Sequence, residues 1–206
     1  MKALQITSLI AAGALTLAAL LSTADAASSP ASTAPTPIAG DFEVDGSHSS
    51  LIFRVQHMGA SYFYGRFNEV SGILHLDEED PSDSSAEVLV RAESVDTNSE
   101  SRDKHVKGPD FLDAKQFPEI SFVSKRVERT GGSWKMEGEL TLHGTTKPIT
   151  VDFEKVGEGK NRGGDRVVGF HAVFTIDRTD FGITYGPGAL GAEIEMTVSL
   201  ETTASK

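Results

Sequence analysis

Six histidines, a run of Arg102-Asp103-Lys104-His105 and a complete absence of cysteine bound the chemistry open to this chain. The histidines are His48, His57, His75, His105, His143 and His171. An imidazole can move a proton near neutral pH or ligate a metal. No HxxxH or HExxH spacing occurs, so no local pattern puts two imidazoles around one ion, and the six read as structural hydrogen-bonding groups. Zero cysteine removes disulfides, thiolate metal sites, cysteine nucleophiles and the acylated cysteine of a lipoprotein. There is no GxSxG elbow and no glycine-rich phosphate loop. Asp103 with His105 is the one pair that could serve acid–base chemistry, in a metal-assisted hydrolase or an isomerase. No nucleophile accompanies it, and it falls in the one helical stretch. An ion pair locking that helix to its surroundings is therefore the expected role of Arg102 and His105. No catalytic residue and no metal ligand is assigned. Tyr62 and Tyr64 are candidate contacts to a ligand head group; the plain alternative is that they cap a strand face with hydroxyls in water.

The elements around these residues are strands. Leu51, Phe53, Val55 and His57 alternate with Ile52, Arg54 and Gln56, the period-two pattern of a half-buried strand. Met58-Gly59-Ala60 breaks the run, and an aromatic strand ending in Phe67 returns to form a hairpin. The same alternation recurs around Ile120 and Phe122, around Leu140, around Phe153, and around Phe170, Phe174 and Ile176. Gly157-Glu158-Gly159 reads as a turn between two of these runs. One stretch differs. Thr97 and Glu100 have the spacing of a capping box, which predicts a helix of two to three turns reaching Lys107 and stopped by Gly108-Pro109. Asp110 then caps a second short turn, Phe111 to Lys115. About eight long strands and one helical excursion predict an all-β, eight-stranded antiparallel barrel. Strands of ten or so residues span ~30 Å, which suits a long, thin apolar guest. The same alternation also describes a barrel filled by its own side chains, as in a purely structural stress protein.

The chain has 206 residues, with Lys+Arg 19 against Asp+Glu 30 and a net charge of −11. Such a charge repels phosphate backbones, so nucleic acid is not an expected partner. Lys2, the apolar run to Leu21 and Ala24-Asp25-Ala26 form a secretory signal, with cleavage after Ala26. Residues 1–26 are thus expected to be removed, leaving an exported, periplasmic protein of the same net charge. Residues 27–39 are rich in Pro, Ser, Thr and Ala and read as a flexible leader, with the folded barrel spanning 40–204.

Four motifs in order make a resemblance. Asp45, His48-Ser49, Phe53, His57-Met58-Gly59 and Gly65-Arg66-Phe67 form the first, and Val95-Asp96-Thr97, Arg102-Asp103-Lys104-His105, Asp110-Phe111 and Phe117-Pro118 the second. Leu140 to Pro148 forms the third, and Ile176-Asp177-Arg178 with Asp180-Phe181-Gly182-Ile183 the fourth. Together they resemble the YceI-like family, secreted lipocalin-like proteins that bind polyisoprenoids. The resemblance implies an extended, lipocalin-like eight-stranded barrel around a buried isoprenoid chain and, for some members, a homodimer. It implies non-enzymatic binding, transport or sequestration of a quinone tail or polyprenyl chain, no cofactor beyond that lipid, and transient contact with a membrane or lipid donor. The expected cavity lining is Leu51, Phe53, Val55 and Phe67 from the first hairpin and Ile120, Phe122 and Leu140 from the middle strands. Phe153, Phe170, Phe174 and Ile176 from the late strands, with Phe181 and Ile183 beyond them, complete it.

Overall fold

The computed structural model describes residues 37–131 and 133–206. The expected signal segment, 1–26, and residues 27–36 of the leader lie outside the described residues. The strands are β1 (Ala39–Val44), β2 (Ser50–His57), β3 (Ser61–Phe67), β4 (Val70–Asp77), β5 (Ser85–Arg91), β6 (Val95–Asp96), β7 (Glu119–Thr130), β8 (Ser133–Leu142), β9 (Thr145–Lys160), β10 (Arg166–Asp177) and β11 (Leu190–Ala204). One helix, α1 (Glu100–Val106), follows β6.

Eight of these strands form a closed antiparallel ring in the order β1-β4-β5-β7-β8-β9-β10-β11, with β11 returning to β1 through Phe42↔Ala204 and Val44↔Thr202. The ring is the expected eight-stranded barrel, and closure leaves it no free edge. β2, β3 and β6 extend it at one end. Leu190 to Ser199 of β11 pair with β2, whereas 202–204 of the same strand pair with β1. β3 pairs with β2 along its length but with β6 only at Arg66 and Phe67. The strand wall is therefore incomplete beside β3, and α1 lies there, with the Arg102 guanidinium 4.4 Å from the centre of the Phe63 ring.

Three local expectations change. The helix has about two turns and ends with Lys107 as its C-cap, as expected, but it starts later than the Thr97 cap implies, and its N-cap is Ser99, without a side-chain bond. Thr97 instead gives its backbone N–H and its hydroxyl to Asp103 Oδ1, at 2.7 and 2.5 Å, so the capping box does not form. Phe111 to Lys115 forms the expected short turns, but Asp110 does not cap them: its carboxylate binds His105. Gly157-Glu158-Gly159 is not a turn. β9 runs through it, because β10 pairs with it in register at Val167↔Gly159 and Val168↔Glu158, and cross-strand bonds override the local preference of glycine.

The end of the barrel opposite α1 is sealed by Ile38, Phe42, Leu74, Ala86, Val168 and Phe170. The composition of residues 27–39 places Ile38 in the flexible leader. It is 1% exposed, and the next residue already belongs to β1, so the fold begins before Asp41. An isoleucine among small and polar residues gains most by burial, which removes its side chain from water for ~1.5–3 kcal/mol.

A charged latch holds this seal. Glu78 accepts 2.8 Å from the Ile38 N–H and 2.6 Å from Lys155 Nζ. Burial opposes the charge on Glu78, but the hydrogen bonds from Lys155 and Ile38 outweigh it, and its pKa lies below the ordinary 4.5. A lowered pKa gives stability that is complete above the unfolded value and is lost as pH falls through the folded one. Glu78→Gln should thus cost ~1–3 kcal/mol at neutral pH, from weakened charge-assisted bonds. The gap to wild type should close as the pH falls below the ordinary 4.5 and through the lowered folded value. Acid unfolding followed by Trp134 fluorescence checks this; a gap that stays constant with pH would refute it.

Candidate functional site

The barrel encloses a cavity of about 580 Å³. That volume is in the range of sites that hold drug-sized apolar molecules. Leu51, Phe53, Val55 and Phe67 line it from β2 and β3, and Ile120, Phe122 and Leu140 from β7 and β8. Phe153, Phe170, Phe174 and Ile176 line it from β9 and β10, and Ile183 from the loop after β10. Phe181 does not. It sits in a single 3-10 turn, Arg178–Phe181, is 2% exposed, and packs in the core behind the wall. It lies past the end of its strand, where alternation carries no information about facing.

Two glycines keep the space open. Gly65 lies opposite Phe53, and a Cβ there would come within 2.2 Å of the Phe53 ring. A Cβ at Gly138 would meet the Phe122 ring at 2.5 Å. Each ring thus lies over a bare stretch of wall, as aromatic residues do over strand glycines. The lumen stays free of both rings.

At the sealed end, Leu74, Met136, Phe153 and Phe170 separate the cavity from a second void of only about 30 Å³. Phe153 stacks on Trp134 at 5.9 Å and meets Phe170 edge-on at 6.0 Å. The cavity is blind at this end.

The polar side chains gather at the other end, the mouth. The expected head-group contacts, Tyr62 and Tyr64, are not among them. The β2–β3 register sets Val55 opposite Phe63 and Phe53 opposite Gly65, so Phe63 and Phe67 share the inner face. The two tyrosines are therefore on the outer face, each 56% exposed, with Arg54 4.1 Å over the Tyr62 ring. The sequence alternation held the signal: residues at even spacing from Phe67 face inward, which selects Phe63 over its two tyrosine neighbours.

The mouth is built by α1 and two loops. Arg102 donates from Nε to Thr97 Oγ1 at 3.0 Å and from Nη2 to the Thr97 carbonyl at 2.7 Å. His105 Nε2 lies 2.9 Å from Asp110 Oδ2, and its ring packs 5.1 Å from both Phe111 and Tyr185. Arg102 and His105 thus hold α1 in place, and both also face the cavity.

Arg178 is the residue that sequence reasoning missed. It is 5% exposed and lines the cavity. Its Nε donates to the Gly191 carbonyl at 2.9 Å, and its Nη1 to those of Ile183 and Tyr185 at 2.8 and 2.9 Å. Burial lowers its pKa, and Asp177 only partly offsets this. One guanidinium thereby ties down the loop that carries Ile183 and Tyr185.

A separate polar cluster lies on the outer surface. Asp45, His48 and Glu201 bring one ligand atom each within 4.8 Å of one another. His48 Nδ1 is 2.8 Å from Asp45 Oδ2, and Ser47 and His48 together hold the Asp45 pKa down to about 2. This cluster pins the break between β1 and β2.

Comparison with known proteins agrees with this architecture. Residues 42–204 match the family described as the YceI-like domain. A UPF0312 protein of Yersinia pestis (strain Pestoides F) is 37% identical over 171 residues, covering 82% of this chain and 89% of that protein. The crystal structure of Burkholderia cenocepacia BcnA superposes with a TM-score of 0.70 at 23% identity, covering 77% of this chain and 98% of that one. A polyisoprenoid binding domain from Saccharophagus degradans, implicated in plant cell wall breakdown, superposes with a TM-score of 0.61 at 13% identity. It covers 80% of this chain and 98% of its own.

Proposed function

Because this chain belongs to the YceI-like family, we propose that its barrel binds and carries or sequesters a long isoprenoid, a quinone tail or polyprenyl chain, without chemical turnover. The observation that carries the reading is the blind apolar cavity of about 580 Å³ with its inward-facing polar side chains gathered at the mouth. A filled structural barrel would leave no such space, since protein interiors pack with few voids larger than a water. The name of the Saccharophagus degradans domain supports an isoprenoid guest. Acid–base catalysis fits less well, because Asp103 and His105 direct their hydrogen bonds to Thr97 and Asp110 rather than to each other.

Binding is transfer of hydrocarbon from water to the lumen. Each five-carbon unit gains up to ~3–4 kcal/mol at ~0.8 per CH₂. Eight units would pass the practical ceiling of ~20 kcal/mol, so ordering the chain must consume much of the gain. Tolerance of related tails follows. Export to the periplasm through residues 1–26 belongs to the same reading, and loading there would need contact with a membrane or lipid donor at the mouth.

Mass spectrometry of lipid extracted from native protein purified from the periplasm tests the reading. A stoichiometric isoprenoid is the expected result, together with an intact protein mass lacking residues 1–26. Protein that is empty and takes up no prenyl chain on incubation would end the carrier reading. A retained Met1 would end the export reading.

A further inference from the structure

We propose that the guest carries an anionic oxygen head, a carboxylate or a phosphate, held at the mouth by Arg102 and Arg178. This rests on the lipid-binding reading and specifies the part of the ligand that the apolar lumen leaves undetermined.

The first observation is the sign of the wall. The chain carries 30 acidic residues and a net charge of −11, yet no Asp or Glu lines the cavity among the described residues. The polar side chains at the mouth are His57, Thr97, Arg102, His105, Arg178 and Tyr185. Ser121 and His171 also border the cavity, but they alternate with inward-facing Phe122, Phe170 and Ala172, so their side chains are on the outer face.

The second observation is the missing counter-charge. On the outer surface Arg54, Arg91, Arg126 and Arg166 each pair with a glutamate, Glu195, Glu119, Glu128 and Glu158, and Arg66, Arg129 and Arg162, which have no such partner within 4.0 Å among the described residues, are exposed to water. Neither Arg102 nor Arg178 has a carboxylate oxygen within 4.0 Å among the described residues, as their bonds run to Thr97 and to carbonyls. The carboxylates of Asp103, Asp110 and Asp177 are engaged by Thr97, His105 and Thr179, and the charge of Asp177 acts on Arg178 only from beyond 4.0 Å.

Unfilled donors remain on both. Among the described residues Arg102 makes no hydrogen bond through Nη1. Arg178 has two hydrogens on Nη2 and one long contact there, 3.3 Å to the Leu190 carbonyl. Carbonyl dipoles satisfy hydrogen bonds but bring no net negative charge, and for Arg178, which is buried, a cation out of water without an opposing charge is costly, while Arg102 stands at the exposed rim of the mouth. An oxyanion at the mouth would accept charge-assisted bonds and neutralise the pair. A neutral alcohol or quinone carbonyl could only accept the bonds.

The test compares geranylgeraniol, geranylgeranoic acid and geranylgeranyl phosphate, three heads on one tail, with the delipidated exported protein. Both anions, or one of them, should bind at least ~10-fold more tightly than the alcohol. A preference for the acid alone or the phosphate alone identifies the head. Arg102→Gln should shrink the anion-to-alcohol ratio to under about threefold and Arg102→Lys should retain most of it, since the charge survives. Arg54→Gln, on the outer face, should leave the ratio unchanged. Equal affinities in wild type, or a ratio that Arg102→Gln does not move, would overturn the inference and leave the lipid-binding reading standing. Failure of all three compounds to bind would overturn both. The wild-type comparison decides the matter even if Arg102→Gln does not fold.

Discussion

Replacing Arg178 by glutamine should lower the unfolding free energy by ~2–4 kcal/mol, the largest stability loss expected from a single polar substitution at the mouth. The guanidinium reaches the carbonyls of Ile183, Tyr185, Leu190 and Gly191 from one side chain. A glutamine amide is shorter and has two hydrogens. The carbonyls left behind each cost ~1–3 kcal/mol where water cannot reach them, and the mouth lets water recover part of that. Lysine should be little better, because its point charge cannot reproduce the planar fork. The loop would loosen with Tyr185, and the contacts of that ring with His105 and Phe111 would loosen with it. Arg54→Gln provides the contrast: its ion pair with Glu195 is partly exposed, so the expected loss is ~0–1 kcal/mol. Denaturant unfolding of the three variants decides it. An Arg178→Gln protein within ~0.5 kcal/mol of wild type would show that the loop does not depend on this side chain.

Tryptophan at two phenylalanines should give opposite results, which would locate the empty space. Phe174 borders the open lumen, so Phe174→Trp should unfold at near-normal denaturant concentration and bind a prenyl chain roughly tenfold more weakly, a loss of about 1.4 kcal/mol. The larger ring takes room that the guest needs. Phe153 instead belongs to the septum at the sealed end, stacked on Trp134 and edge-on to Phe170. Phe153→Trp should overpack that septum and cost ~1–3 kcal/mol of stability. The pair is informative because sequence alternation treats both residues as the same kind of inward phenylalanine. Equal, substantial destabilisation of both would mean that the lumen near Phe174 is packed as a core.

Much of the barrel was legible from the chain. Alternation is a local property of the pleat, so Leu51, Phe53 and Val55 could be set on one face without knowing their partners. The same holds for Phe170, Phe174 and Ile176 on β10. The failures have physical reasons too. The hydroxyls of Tyr62 and Tyr64 suit a head group by their chemistry but not by their phase in the strand, and the β2–β3 register turns both outward. Phe181 follows a strand, where a 3-10 turn redirects it into the core. Thr97 with Glu100 has capping-box spacing, but the Asp103 carboxylate accepts from both the Thr97 N–H and its hydroxyl.

The sequence by itself determined an all-β chain with apolar inner faces, no cysteine chemistry and one helical interruption, because these follow from composition and from side-chain period. It could not decide whether the barrel is full. That depends on where rings come to rest across strands, as Phe53 does over Gly65 and Phe122 over Gly138. Nor could it show that Ile38 seals the base or that Arg178 ties four carbonyls without a carboxylate. Packing volume and charge neutralisation are sums over neighbours distant in the chain, and only the closed tertiary structure fixes who those neighbours are.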